Sequence, residues 1–158
     1  MTIDPAFDPG TRNELGSYVF TDDAIIDFAR QFDPQRFHVD AEAAKDSVFG
    51  GLCASGWHTA AIWMKLNLAS NTVADQLAES EGRSLPDYGP SPGFRNLRWL
   101  KPVYAGDEIF YSRIIRGSRP LNSRPGWSIL ELTSEAHDSQ GELVMSFDSA
   151  SLIKFPES

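Results

Sequence analysis

Residues 57–80, WHTAAIWMKLNLASNTVADQLAES, contain no glycine and no proline and are rich in alanine and leucine. These two residue types favour the helical conformation, so the stretch predicts one long helix that begins at about Gly56. Apolar residues occupy nearly all sides of the first half of that helix. Because a helix of this kind is normally buried on most of its surface, the rest of the chain is expected to wrap around it.

The second half of the chain predicts a sheet. Beyond the loop EGRSLPDYGPSPG, four runs of β-branched and aromatic residues have the composition and partial alternation of strands: FRNLRWL, DEIFYSRIIRG, GWSILELTSEAHD and ELVMSFDSASLIKF. The turn DSQG between the last two runs predicts a hairpin, and hence antiparallel pairing. A fifth short strand, GSYVF, is predicted near the N-terminus.

A short helix is predicted after that first strand. Thr21 is a suitable N-cap, and apolar residues then recur at helical spacing. The helix is expected to end at or before Asp33, because Pro34 disfavours the helical conformation of the residue before it. Residues 34–55 predict an irregular segment with one turn around residues 41–45.

These elements predict an α+β fold in a single domain over residues 1–158, with residues 1–16 as a loose N-terminal segment. A chain of 158 residues is long enough to bury about two-thirds of its unfolded surface. Several topologies fit this pattern, and one of them is the hot-dog fold, in which a long central helix is wrapped by a curved antiparallel sheet of about five strands.

Charge and hydropathy narrow the classes of function. A formal net charge of -8 argues against a general nucleic-acid partner. No stretch approaches the ~20 continuous apolar residues of a membrane helix, and the N-terminus has no apolar run typical of a signal peptide. The single cysteine, Cys53, gives no support to an oxidising compartment. We therefore expect a cytoplasmic protein with neither a nucleic-acid nor a membrane partner.

Seven of the 14 basic residues lie between Arg95 and Arg124. Arg113 and Arg116 are the first two of a run that leads from the second late strand into its proline-rich turn. This run fits a solvated strand face, and it also fits contacts to the phosphates of a nucleotide-bearing ligand, because guanidinium groups bind phosphate well.

Asp33 and His38 lie five residues apart in the segment FDPQRFHVD. A carboxylate and an imidazole that share a loop can act on one water molecule, since one group can withdraw a proton while the other returns one. The same spacing fits a simpler interpretation, in which Asp33 caps a turn and His38 is an ordinary loop residue. The spacing alone leaves both interpretations open.

The segment FGGLCASG leads into the long helix at Gly56. The first N–H groups of a helix have no partner within it and lie at the positive end of its dipole, so they can bind a carbonyl oxygen that becomes negatively charged. Alternatively, the segment is a flexible connector in which Ser55 is an N-cap. Near this helix start, Cys53 fits a buried small residue better than a nucleophile with His58 as its base. The three histidines show no metal-ligand spacing, and we expect no metal.

The segment DFARQFDPQRFHVDAEAAKDSVFGGLCASGWHTAAIWMKL, together with NLRWLKPVYAGDEI, resembles the MaoC-like dehydratases, which include the (R)-specific enoyl-CoA hydratases. The motif of that family has an Asp, a His five residues later, and a helix-opening glycine about eighteen residues after the His. Asp33, His38 and Gly56 match it. The resemblance implies a hot-dog fold, a homodimer or larger homo-oligomer, and a site for an acyl-CoA or acyl carrier protein thioester near the subunit interface.

The resemblance also implies a reaction and a set of roles. Asp33 and His38 would hold and deprotonate the water that adds reversibly to a trans-2-enoyl thioester, and the Gly56 N–H would bind the thioester oxygen. No cofactor is implied. The substrate-binding residues predicted around this group are Phe49, Ser55, Trp57, Arg113 and Arg116.

Three departures from the family pattern bear on these roles. D-P-Q-R-F-H replaces the usual D-x-N-P-x-H, so the Asn is absent and a proline directly follows Asp33. Ser55 stands where a helix-opening His is common, and Met64 stands where the hydratases tend to have a serine that supports the catalytic His. Two other functions stay open: a hot-dog acyl-CoA thioesterase and a non-catalytic acyl-thioester binding subunit. Trp57, Trp63 and Met64 are bulky enough to limit the depth of the pocket.

Overall fold

Six antiparallel strands form one curled sheet around the long helix in the computed structural model, which describes residues 4–157. The strands are β1 (Arg12–Val19), β2 (Asp87–Tyr88), β3 (Gly93–Trp99), β4 (Glu108–Pro120), β5 (Ser128–His137) and β6 (Leu143–Lys154). Their order is β1-β4-β5-β6-β2, and β3 also pairs with β6. The predicted α+β hot-dog fold is confirmed.

Four helices connect β1 to β2. They are α1 (Asp22–Phe32), α2 (Arg36–Val39), α3 (Ala41–Lys45) and α4 (Gly56–Ser80). The Thr21 hydroxyl caps α1 as predicted, and α1 ends with Asp33 as its C-cap, directly before Pro34. The predicted turn at residues 41–45 is α3, whereas α2, which contains His38, was not predicted.

The N-terminal boundary is a correction to the sequence prediction. A short 3-10 turn occupies Pro5–Phe7, and β1 begins at Arg12 rather than at Gly16. β1 pairs with β4 from Arg12 onward, so residues 12–16 are not loose; residues 1–3 of that predicted segment lie outside the described residues. Gly16 has φ +112° at a shift in the register of this pairing, a conformation that glycine adopts without strain. A second correction is β2, which lies inside the predicted loop.

The long helix begins at Gly56 as predicted, but it is less buried than its composition suggested. The described chain buries only five of its residues, His58, Thr59, Ile62, Trp63 and Ala78. Trp57, Met64 and Leu68 are each about half exposed. The single chain therefore leaves an apolar surface along α4. No helix within residues 4–157 has the length and hydropathy needed to span a membrane.

The main core lies between the first half of α4, α1 and the strands β1 and β4. Phe20, Ile25, Ile109 and Tyr111 are essentially inaccessible to solvent in it. The Tyr111 hydroxyl donates to the Thr59 carbonyl of α4 at 2.9 Å. This packing fixes the N-terminal turn of α4 beside the segment that joins α1 to α2.

His58 contributes to this core as an aromatic ring. It stacks on Phe28 at 4.5 Å between ring centroids and 5° between planes, and burial lowers its pKa to about 4. In the unfolded chain the pKa of a histidine is near 6.5. Since the unfolded state binds the proton more readily, the folded state loses stability as the pH falls from about 6.5 to about 4.

We expect His58→Phe to remove a pH-dependent loss of up to about 3 kcal/mol in the free energy of unfolding between pH 7 and pH 4. Urea unfolding of both proteins at several pH values measures this difference. His137→Gln is the control, because His137 lies on the surface end of β5 and is partly exposed. An equal pH dependence in wild type and His58→Phe would show that His58 is not the titrating group.

Candidate active site

A pocket of about 440 Å³ lies between the α1–α2 segment and the start of α4. Polar and charged side chains line it together with apolar and aromatic ones. The lining includes Asp33, Gln35, Phe37, His38, Phe49, Cys53, Gly56, Trp57, Trp99, Leu100 and Val144. The three residues that match the family motif are thus brought to one cavity.

Asp33 is held at the end of α1 by hydrogen bonds to both of its carboxylate oxygens. The Gln35 side chain donates to Oδ1 at 2.7 Å, and the Ser55 hydroxyl donates to Oδ2 at 2.7 Å. Burial alone would raise the pKa of Asp33, but these two hydrogen bonds, together with the positive charge of His38 when its ring is protonated, outweigh burial and lower it. Asp33 is therefore an ionised carboxylate with a fixed orientation.

His38 lies in α2 with 6% of its surface exposed, and its ring has a defined tautomer. Its Nδ1 is 2.6 Å from the carbonyl oxygen of Cys53. A carbonyl oxygen only accepts hydrogen bonds, so Nδ1 carries a proton and, in the neutral ring, Nε2 carries a lone pair. Nε2 lies 3.4 Å from Asp33 Oδ2.

The two acceptors, His38 Nε2 and Asp33 Oδ2, face the same region of the pocket. A water molecule that contacts both atoms would donate one hydrogen to each of them. Its oxygen lone pairs would then be free to attack an electrophile, and the two acceptors would be correctly placed to take a proton from it. The arrangement is suited to holding and activating water.

Gly56 lines the same pocket and has an N–H group that can act as a hydrogen-bond donor. The Ser55 hydroxyl accepts from the Trp57 N–H at 3.3 Å, whereas the Gly56 N–H has no acceptor among residues 4–157. The Gly56 carbonyl accepts from Trp99 Nε1 at 2.9 Å. A Cβ on residue 56 would lie 2.4 Å from the Trp99 ring, so this position has no space for a side chain.

Ser55 was predicted to contact the substrate, and its placement corrects that role. The residue is fully buried, its hydroxyl is engaged by Asp33 and by the Trp57 N–H, and it does not line the pocket. Ser55 therefore positions Asp33 and caps α4. Phe49 and Trp57, also predicted substrate contacts, do line the pocket.

Arg113 and Arg116 do not lie near this pocket within the chain. Arg113 is buried beside the middle of α4, where its Nη1 donates to Asn67 and Asn71 at 2.7 and 2.9 Å. Arg116 is exposed on β4 and donates from Nε to the Thr133 hydroxyl. The sequence placed them near a ligand because basic residues cluster there, but β4 carries them away from the start of α4.

Cys53 acts through its backbone rather than its thiol. Burial, with a further contribution from the negative charge of Asp33, raises the pKa of the thiol to about 11, so it stays protonated and is a poor nucleophile. Its N–H donates to the Phe37 carbonyl, and its carbonyl accepts from His38. Within residues 4–157, no group of three or more His, Cys, Asp or Glu side chains is arranged to hold a metal ion.

The sequence interpretation missed Gln35 and Trp99. Gln35 follows Asp33 by two residues, which is the position of the Asn in D-x-N-P-x-H, and it donates to Asp33. This spacing from Asp33 is the sequence feature that could have identified Gln35. Trp99 comes from β3, 43 positions after Gly56, and no local pattern links the two residues.

Comparison with known proteins identifies the family of the chain. Residues 8–124 match the model of the MaoC like domain. A protein of Bacillus subtilis (strain 168) named YdeM is 30% identical over 132 residues, which is 84% of each chain. The crystal structure of a MaoC-like dehydratase from Rhodospirillum rubrum has a TM-score of 0.75 and 34% identity, covering 96% of this chain and 94% of that one.

A third comparison concerns the fold. The (R)-hydratase from A. caviae, described as involved in PHA biosynthesis, has a TM-score of 0.60 at 19% identity, covering 97% of this chain and 100% of that one. The family model covers well over half of the chain. The chain therefore belongs to the MaoC-like domain family.

Proposed function

We propose that this protein is an (R)-specific enoyl-CoA hydratase, or 3-hydroxyacyl-CoA dehydratase, that adds water reversibly to a trans-2-enoyl thioester. One observation carries the proposal: the pocket combines two water acceptors, Asp33 and His38, with the N–H of Gly56, which has no acceptor among residues 4–157. The (R)-hydratase with the same fold supports the choice of reaction. The carrier is CoA or acyl carrier protein.

In the hydration direction, the thioester oxygen accepts a hydrogen bond from Gly56 N–H at the positive end of α4. Water held by Asp33 and His38 attacks Cβ, and one of its protons passes to this pair. The electrons of the Cα–Cβ double bond move toward the thioester oxygen, where Gly56 stabilises the enolate-like charge. The pair then supplies a proton to Cα, so each turnover returns it to its starting protonation state.

Loss of the conjugated enoyl-thioester absorbance tests this proposal directly. The purified protein is mixed with a panel of trans-2-enoyl-CoAs of different length, and chiral analysis identifies the 3-hydroxyacyl product. We expect turnover with formation of the (R)-alcohol. Release of free thiol from saturated acyl-CoAs would instead identify a thioesterase, and tight binding of CoA esters without turnover would identify a binding subunit.

We also propose that the chain forms a homodimer or larger homo-oligomer. Leu68, Val73 and Leu77 on α4 are each more than half exposed in the single chain, and a second copy would cover apolar surface of this kind. Sedimentation analysis should give at least twice the mass of one chain; a monomer at micromolar concentration would contradict this. A single cysteine, Cys53, gives no support to an oxidising compartment, and we propose the cytoplasm as the location of the protein.

A further inference from the structure

A second cavity of about 400 Å³ lies beside the candidate active site and is more apolar. One wall is a face of α4 with Ala60, Trp63 and Met64, and the opposite wall comes from the sheet, with Phe94, Leu97, Leu132 and Phe147. Among the described residues, Trp57 is the single residue that lines both this cavity and the catalytic pocket. The indole of Trp57 therefore lies at the boundary between the two cavities.

Trp57 is supported from one side at this boundary. Its ring meets that of Trp99 edge to face, at 5.0 Å between centroids and 80° between planes. Trp99 in turn is fixed by its hydrogen bond to the Gly56 carbonyl and by close packing on Gly56. Trp57 and Trp99 thus form this boundary directly beside Gly56, whose N–H binds the thioester oxygen in the proposed mechanism.

We propose that Trp57 is a specificity-determining residue that limits the substrate to short acyl chains by closing the catalytic pocket toward the apolar cavity. The proposal rests on the proposed function, because it assumes an acyl thioester bound at Gly56. In that arrangement the thioester oxygen is bound by the N–H of Gly56, the residue directly before Trp57. The acyl chain beyond Cβ therefore reaches the Trp57 indole after a few carbons. When a smaller residue replaces Trp57, the distal part of a longer acyl chain occupies the second cavity.

The apolar lining of the second cavity allows the expected effect of replacing Trp57 to be estimated. Each methylene that leaves water for an apolar cavity strengthens binding by roughly fourfold. Trp57→Ala should therefore raise the ratio of kcat/KM for an eight-carbon enoyl-CoA to kcat/KM for the four-carbon substrate by at least about tenfold. The chain-length preference of Trp57→Phe should lie between those of the wild type and Trp57→Ala, because the phenyl ring fills part of the space of the indole.

The experiment measures hydration of four-, eight- and twelve-carbon trans-2-enoyl-CoAs by wild type, Trp57→Ala and Trp57→Phe. Trp127→Ala is the matched control, since Trp127 packs against Gly89 and lines neither cavity. It should leave the chain-length profile unchanged. A profile that Trp57→Ala does not shift toward longer chains, in a folded protein that still turns over the short substrate, would overturn the proposal.

A binding measurement separates failure of this proposal from failure of the proposed function. Calorimetry with saturated butyryl-CoA and octanoyl-CoA compares Asp33→Asn with Asp33→Asn/Trp57→Ala. Tighter binding of octanoyl-CoA only in the double variant supports the boundary role of Trp57 even if no enoyl-CoA is hydrated. An unchanged length preference, together with weaker self-association of Trp57→Ala in sedimentation, would assign the cavity to a second copy of the chain and overturn the proposal.

Discussion

Replacing Asp33 with Asn is expected to lower kcat/KM for enoyl-CoA hydration by about 10²- to 10⁴-fold, the range typical of a lost acid–base group. The substituted amide keeps the size of the side chain and can still accept a hydrogen bond from Ser55. It carries no negative charge, however, and cannot take a proton from water. The spectrophotometric assay with the best enoyl-CoA of the panel measures the effect.

The same substitution at Asp40 shows whether the loss of activity in Asp33→Asn comes from the role of that carboxylate in the reaction. Asp40 is an exposed N-cap of α3 that accepts from the N–H groups of Glu42 and Ala43, and Asn is an equally good N-cap. Asp40→Asn should therefore retain wild-type activity and thermal stability. Full activity of Asp33→Asn would rule out the mechanism proposed for the pair.

His38→Gln should give a loss of similar size, and combining it with Asp33→Asn should add little. In the proposed mechanism the two groups act on one water molecule, so removal of either one removes most of their joint effect. If the two losses instead multiplied in the double variant, Asp33 and His38 would be acting independently, and the shared water site would be wrong.

The parts of the site that were predictable depend on local chain geometry. Pro34 ends α1 at Asp33, the glycine-rich segment begins α4 at Gly56, and the spacing between them matches a family motif. Their convergence in space also depends on contacts between residues that are distant in sequence: the Cys53 carbonyl orients His38, and the Ser55 hydroxyl donates to Asp33. Ser55 was identified as a cap from its residue type, but its second bond, to Asp33, becomes evident only in three dimensions.

Other features required the tertiary fold. The run of basic residues gave no information on which face of β4 each arginine occupies, so Arg113 was not recognised as a buried partner of two asparagines on α4. The burial of α4 was overestimated because its apolar composition does not show how much of the helix the rest of the same chain covers. Trp99 reaches Gly56 through strand pairing of β3 with β6, which periodicity alone cannot encode.

The contact between Gly56 and Trp99 leads to the second large expected effect. Gly56→Ala should lower kcat/KM by about 10²-fold, because the new methyl group would lie 2.4–2.6 Å from three atoms of the indole. Trp99 must move, its hydrogen bond to the Gly56 carbonyl is lost, and the Gly56 N–H, which binds the thioester oxygen in the proposed mechanism, shifts. Misplacement by about 1 Å at a reacting centre costs roughly this factor. Overpacking should also cost about 1–3 kcal/mol of stability.

Gly51→Ala is the control for adding a methyl group to this segment. A Cβ at residue 51 would lie 3.8 Å from Tyr104, an ordinary contact, so activity should stay within about threefold of wild type. The cause is then isolated by combining Gly56→Ala with Trp99→Ala, which removes the ring that the methyl group strikes. Gly56→Ala should cost much less in the Trp99→Ala background than in the wild type, and such coupling is what a direct clash predicts. An equal loss in both backgrounds would show that residue 56 must be glycine for a reason other than Trp99, for example direct contact with the thioester.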